Sequence, residues 1–395
     1  MRVVDICSFN PLDYKSGGVG STTFHINSAL VRHGIEVINI CFANESFVKE
    51  SKMGKVIAIK TYDNELLKLL TYPIRSALLA RKLKPDVLIG EGPSNFGGSL
   101  IASLIRKPNT IHIERAHGTH MNLILSTQKK SLHMRILGRL MAEIIERYQF
   151  ILADYSFCVS YSVRNELIKY YKINKSRIKV IVSGTDTKKY KPLGKAKKAE
   201  LRSSMRFYDG MVYILYIGTD PSRKGLDIVL RSMELLRDMP IHLNVIGIDN
   251  DNGLNFIRNN YIKHLDADRI SFIGKINEDE KIKYYKASDL LFFPSRYEGI
   301  ALVSLDALSS GLPMVVSNMV GIEQIAGSSS GVFVSPDFDP KHYADIIVKL
   351  IDRIDRLDKC KKNARKIALQ YDWIRVGERY YDAIMHIVKS ELHER

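Results

Sequence analysis

Residues 294–317, PSRYEGIALVSLDALSSGLPMVVS, set Glu298 and, eight positions on, Asp306 in an otherwise largely apolar run. A buried carboxylate is costly unless something hydrogen-bonds to it. Upstream, YIGTDPSRKGLDIVL (216–230) reads as strand, turn and helix, with Arg223 and Lys224 at the mouth of the turn and Gly225 opening the helix. Two cations beside a helix N-terminus, at the carboxyl end of a strand, suit an anion. Arg grips phosphate bidentately and Lys serves as a point charge, while carboxylates suit the paired hydroxyls of a sugar or ribose. Each feature also has a plainer reading: a solvated basic turn for the pair, a helix cap for Glu298, an ion pair with a base such as Lys224 for Asp306. Their gathering at strand-to-helix junctions of one predicted sheet favours the joint, ligand-binding reading.

The elements that position these residues follow from periodicity. DLLFFPS reads as a buried strand, RYEGIA as the loop after it, and ALVSLDALSSG as a helix ended by Gly311 before Pro313, with Asp306 about two turns beyond Glu298. VVDICSF, EVINICF, DVLIG, NTIHIER and YSFCVS form one strand series, and VYILYIG, IHLNVIGI, RISFIG, DLLFFPS, PMVVS and GVFVS a second. Helical stretches alternate with them, the first from Thr22 to His33. That alternation predicts an α/β fold of two doubly wound, Rossmann-like domains with parallel sheets. The Lys-rich stretch 183–205 reads as a linker and surface helix. It sets domains at 1–190 and 191–370, followed by a C-terminal helical segment 371–395 that holds the single Trp373. Two such domains predict a ligand cleft at the carboxyl ends of their strands.

The totals agree. The chain has 395 residues, too many for one ordinary core, and 45% hydrophobic content with 25 Gly and 12 Pro is that of a globular protein. A net charge of +16 points to anionic partners: nucleic acid, membrane surface or phosphorylated substrate. The 20 Tyr and 14 Phe fall in strands and helix stripes, which speaks against a nucleic-acid stacking platform. MRVVDICSFN lacks the regions of a signal peptide, and no apolar run is long enough to span a bilayer, so the expectation is a cytoplasmic protein. Cys7, Cys41, Cys158 and Cys360 form no CxxC pair and read as reduced thiols.

Other candidates need weighing. FNPLDYKSGGVGST offers Gly17, Gly18 and Gly20 in a strand-to-helix loop, without the spacing of a dinucleotide fingerprint. TIHIERAHGTHMN ends a strand at His117, with His120 as understudy. Asp249 and Asp251 in LNVIGIDNDNG superficially suggest a metal site, but the Gly and Asn around them make a polar turn, and no metal is expected. The basic amphipathic stretch 129–150 reads first as a core-packed helix, and second as a face for an anionic membrane.

"PSRYEGIALVSLDAL" resembles the E-x7-E signature of the retaining family-4 glycosyltransferases, with Asp in the second place. "YIGTDPSRKGLD" is similar to their diphosphate loop, and "GGVGSTTFHINSALVRHGIEV", "CVSYSVRNELIKYYKINKSRIKVIVSGTDTKKYKP", "SNMVGIEQIAG" and "YDWIRVGERYYDAI" match in order along nearly the whole chain. The resemblance implies a GT-B architecture: two Rossmann-like domains facing a central cleft, and a C-terminal helix crossing back to the first. It implies that Glu298 and His117 hold the donor sugar, Asp306 the ribose, and Arg223 with Lys224 the diphosphate. Gly18 would close over the phosphates, Gly299, Ile300 and Ala301 would supply the helix N-terminus beside them, and Ile276, with Lys275, would lie near the base. Thr219 stands where the family often has Arg, and Asp306 is one methylene short. The activity implied is metal-independent transfer of a hexosyl unit, with retention, from a nucleoside diphosphate sugar (UDP or GDP favoured) and without a cofactor. The acceptor would be a glycan or lipid-linked hydroxyl in surface polysaccharide synthesis, with peripheral contact to an anionic membrane. Alternatives are an epimerase or phosphorylase on the same fold, or a basic nucleic-acid-binding protein.

Overall fold

Strands that are apolar on both faces need helices on both sides, and parallel pairing with helical crossovers provides them. The computed structural model describes residues 1–7, 9–10, 12, 17–62, 64–92, 97–121, 142–259, 267–352 and 358–393. The chain divides into two compact units, residues 1–184 with 373–395, and residues 185–372.

The first unit holds strands β1 (Arg2–Ile6), β2 (Glu36–Ala43), β3 (Phe47–Ser51), β4 (Gly54–Lys60), β5 (Val87–Gly90), β6 (Ile111–Ala116), β7 (Tyr155–Cys158) and β8 (Ile178–Val180). They form one sheet in the order β3-β4-β2-β1-β5-β6-β7-β8. All pairs are parallel except β3 with β4, an antiparallel edge hairpin. That hairpin and β8 are absent from the predicted strand series. FVKES has an exposed, charged centre and IKV is three residues long, so neither carries a buried apolar run, whereas β4 does carry one, VIAI, that sequence reasoning passed over. The first helix spans Gly18–Arg32, starting earlier than the expected Thr22, because low helix propensity disguises a start built from glycines. In the expected glycine loop, residues 11 and 13–16 lie outside the described residues, as do residues 129–141 of the expected basic helix. Its remainder is a π-turn, Ala142–Glu146, running into helix Arg147–Leu152. Cys7, Cys41 and Cys158 are free and buried.

The second unit holds β9 (Val212–Ile217), β10 (Ile241–Ile246), β11 (Ile270–Gly274), β12 (Leu290–Phe293), β13 (Met314–Ser317) and β14 (Val332–Ser335), a fully parallel sheet in the order β11-β10-β9-β12-β13-β14. Its core packs Ile214, Tyr216, Leu243, Val245, Leu290 and Phe292 against helices Leu226–Leu235 and Pro340–Ile351. No helix among the described residues is long and apolar enough to cross a membrane.

The C-terminal helix, Trp373–His393, packs on the first helix inside the first unit. Trp373 stacks on His25 at 4.7 Å and Tyr381 on His33 at 4.1 Å. Between those two stacks the helices approach most closely at Gly377, where an added Cβ would lie 2.2 Å from the Cβ of Ala29. Gly377→Ala should therefore destabilise the chain by about 1–3 kcal/mol, even though Ala is the better helix former. Denaturant melts of Gly377→Ala, Ala29→Gly and the double variant should show Ala29→Gly recovering most of that loss. Independent, additive effects would contradict the close approach.

Candidate active site

Parallel register delivers the candidate residues of the second unit to one sheet edge. β9 pairs with both β10 and β12, so the loops after β9 and β12 leave side by side. After β9 the chain turns tightly: Lys224 N–H donates to Asp220 O at 2.9 Å, Arg223 N–H to Asp220 Oδ1 at 3.2 Å, and Leu226 N–H to Pro221 O at 2.8 Å. Gly225 ends this turn with φ +75°, and a Cβ there would sit 2.3 Å from the carbonyl oxygen of Pro294 in the neighbouring loop. Only glycine permits both the conformation and the contact. Arg296 N–H then donates to Arg223 O at 2.8 Å, and the Arg296 guanidinium forks onto Asp227 at 2.8 and 2.7 Å.

Within this frame Arg223, Lys224 and Glu298 converge. Glu298 Oε1 accepts from Arg223 Nη1 at 2.9 Å, Lys224 Nζ at 2.5 Å and Ser295 Oγ at 2.8 Å. Arg223 is further held by Asp220 Oδ2 at 3.1 Å and by Tyr297 O at 3.0 Å. Glu298 is not a helix cap: helix Leu302–Ser310 has Ala301 at its N-cap and no side-chain cap bond. Lys224 pairs with Glu298 and not with Asp306. The basic pair is thus more than a solvated turn, because both cations are mostly buried and locked to one carboxylate. Beside them Ala301 N–H donates to Val320 O, while the N–H groups of Gly299 and Ile300 make no hydrogen bond among the described residues. Gly299 and Ile300 precede the N-cap Ala301, so they are loop N–H groups that follow Glu298 directly and are open to a ligand acceptor.

Asp306 is placed otherwise. Helix Leu302–Ser310 begins later than expected, so Asp306 lies little more than one turn inside it. Its Oδ1 accepts from Thr185 Oγ1 at 2.7 Å, and Tyr190, which donates to Glu278 Oε1 at 2.6 Å, also hydrogen-bonds to it. It is not brought to the Arg223–Lys224–Glu298 cluster. Ile276 lies half-buried between β11 and helix Glu278–Ala287, just before the Asn277–Glu280 capping box. Asp249 gives both oxygens to Asn252, at 2.9 and 2.8 Å.

In the first unit, Gly18 is exposed at the start of the first helix, after the extended N-cap Gly17. His117 directly follows β6, its side chain 11% exposed, with Nε2 2.6 Å from Glu91 Oε2. His120 is more open and borders Glu146. Sequence reasoning missed Glu91, whose signal was an acid set directly after the apolar strand DVLIG.

Burial pushes Asp306 up from 3.8 to about 7, with Glu278 adding to the rise and Lys281, Thr185 and Tyr190 opposing it. The folded chain then keeps a proton that the unfolded chain has released. The resulting stability is complete below the unfolded value and is lost as pH rises through about 7. Asp306→Asn, which cannot ionise, should gain in thermal midpoint relative to the parent between about pH 5 and about pH 8. A difference that stays constant over that range would contradict this.

Comparison with known proteins bears on the family and the fold. The family model described as "Glycosyl transferases group 1" matches residues 197–367, and the one described as "Glycosyltransferase Family 4" matches residues 16–189. Spore coat protein SA of Bacillus subtilis (strain 168) is 28% identical over 221 residues, 52% of this chain and 57% of that protein, so the matched stretch spans little more than half of the relative's length. In fold, the chain is similar to sucrose-phosphate synthase of Thermosynechococcus elongatus, with TM-score 0.81, 18% identity, and coverage of 99% of this chain and 100% of that one. Anabaena HepE, solved in complex with UDP, gives TM-score 0.75 at 16% identity, over 98% of this chain and 100% of that one. With two family models that together take in most of its length and whole-chain likeness to such structures, the chain belongs to the family-4 glycosyltransferases of GT-B fold.

Proposed function

We propose that the protein is a retaining, metal-independent hexosyltransferase that takes its sugar from a nucleoside diphosphate donor. The observation that carries this reading is the convergence of Arg223 and Lys224 on Glu298, beside the unpartnered N–H groups of Gly299 and Ile300. That cluster supplies part of what departure of a diphosphate requires: positive charge held in place before the reaction, with unpaired N–H groups in the same loop. Arg223 and Lys224 neutralise the leaving diphosphate, so no metal is needed for charge. Glu298 offers its second oxygen to the sugar hydroxyls, and His117 is the first unit's candidate for a sugar contact. In the second unit Ala301 lies on the phosphate side and Ile276 toward the base, and in the first unit Gly18 is the candidate phosphate neighbour. HepE's complex with UDP supports a uridine donor, and GDP is the second candidate.

Asp306 takes a secondary part. Its bonds to Thr185 and Tyr190 compete with any ribose hydroxyl, so nucleotide affinity rests chiefly on the basic pair. The net charge of +16 favours an anionic or lipid-linked glycan as acceptor, met at the cytoplasmic membrane face.

Calorimetric titration of UDP, GDP and ADP in the presence of a chelator tests the reading. One of them should bind, and Lys224→Ala should weaken it about tenfold or more, the loss of one charge-assisted contact. Asp306→Ala should weaken it less than Lys224→Ala does. Glu298→Gln should abolish sugar transfer while the nucleoside diphosphate still binds, because Gln keeps an acceptor oxygen for Arg223 and Lys224 but loses the charge. If no nucleoside diphosphate binds the intact protein, the donor site is wrongly assigned.

A further inference from the structure

The first unit carries a buried polar chain that the donor cluster does not use. Asp5 on β1, Glu91 directly after β5 and Arg115 on β6 come from neighbouring strands, and Thr23 and Asn27 reach them from the first helix. Arg115 Nη2 donates to Asp5 Oδ2 at 2.5 Å and to Asn27 Oδ1 at 3.0 Å, and lies 3.2 Å from Glu91 Oε1. Glu91 Oε1 also accepts from Thr23 Oγ1 at 2.7 Å. The remaining oxygen, Oε2, meets His117 Nε2 at 2.6 Å. Asp5, Glu91 and Thr23 are wholly buried and Arg115 very nearly so.

Burying so many charges is expensive, and a core of this kind is not retained for stability alone. The pattern has a direction. One oxygen of Glu91 is fixed from behind by a hydroxyl and a guanidinium, and the other meets the His117 ring, which keeps partial exposure. Burial by itself would raise Glu91, but the Arg115 charge and the bonds from His117 and Thr23 outweigh it and hold the carboxyl down to about 2. Burial, with the charge of Glu91, pushes Asp5 the other way. Glu91 is therefore the ionised member.

We propose that Glu91 is the positioning residue of His117: its carboxylate, fixed by Thr23 and Arg115, holds the Nε2 proton in place and leaves Nδ1 as the ring atom that meets substrate. An ionised carboxylate has no proton to give, so a contact of 2.6 Å requires the ring nitrogen to be the donor. A neutral imidazole then has a lone pair on Nδ1, which makes no hydrogen bond among the described residues. His117 consequently accepts a proton in a hydrogen bond from a hydroxyl, such as one on the donor hexose, instead of offering one. The inference rests on the donor-sugar role given to His117 above, but the tautomer is a property of the first unit alone.

Nitrogen-15 NMR of the intact chain with labelled histidine, His117 being assigned through its absence in His117→Gln, decides the point without any ligand. Nε2 should carry the proton at every pH where the ring is observed. A neutral ring protonated at Nδ1 would overturn the proposal. In Glu91→Gln the charge that selects the tautomer is gone, and with it part of what holds Asp5 up, so Asp5 is freer to ionise and balance Arg115. The Nε2–H preference should then fall away, and kcat should drop on the order of 100-fold with the donor KM little changed, the signature of a misplaced group. Turnover is followed with whichever of UDP-, GDP- and ADP-glucose the protein consumes. A Glu91→Gln variant with the parent's tautomer and kcat would refute the positioning role and leave the transferase reading intact. A fully active His117→Ala would instead remove the sugar-holding role of His117, whatever the tautomer proves to be.

Discussion

Parallel strand pairing is the constraint from which the rest of this molecule follows. When neighbouring strands run the same way, their carboxyl ends share one edge, and every loop that leaves that edge is brought beside the next. In the second unit this sets the turn after β9 against the loop after β12, closely enough that Gly225 and Pro294 leave no room for a Cβ between them. In the first unit it sets Glu91 after β5 beside Arg115 at the end of β6, with Asp5 on the adjoining β1. Residues far apart in the chain become neighbours without any local sequence signal to say so.

The two clusters handle charge differently. In the second unit the cations and Glu298 keep some contact with solvent, and one carboxylate organises two bases that would otherwise repel each other. A ligand anion arriving there finds them already in position, so little reorganisation is needed. In the first unit the charges are sealed from water, and the chain runs from Asp5 through Arg115 Nη2 to Glu91, leaving Asp5 Oδ1 and Arg115 Nε and Nη1 without a hydrogen bond among the described residues. It serves rigidity, and what it holds rigid is one imidazole ring.

Asp306 shows how a motif position and its partner can part company. The acid falls where the E-x7-E pattern has its second glutamate, yet with one methylene less it bonds to Thr185 and Tyr190 from the stretch that enters the second unit. Its environment, with Glu278, Lys281 and Tyr285 close by, makes it a group that gives up its proton near neutrality instead of a permanently ionised one. Arg296, which sequence reading passed over as a turn residue, proves to tie the loop after β12 to the helix that follows β9 through Asp227.

Periodicity and punctuation in the amino-acid sequence were enough to establish the α/β class, most of the strands, the strand-to-helix junctions and the Gly311 stop, because those depend on residues within a turn or two of one another. Strands without a buried apolar run, β3 and β8, lay below that signal. The motif residues Arg223, Lys224 and Glu298 were legible one by one, but not the bonds that join them, since Arg223 and Glu298 are 75 positions apart and nothing local links them. The same holds for Glu91 and His117, whose contact depends on the register of β5 on β6. A side chain's type is a property of the sequence, but its partner, its burial and so its proton are set by the strands that pack beside it, and those only the tertiary structure decides.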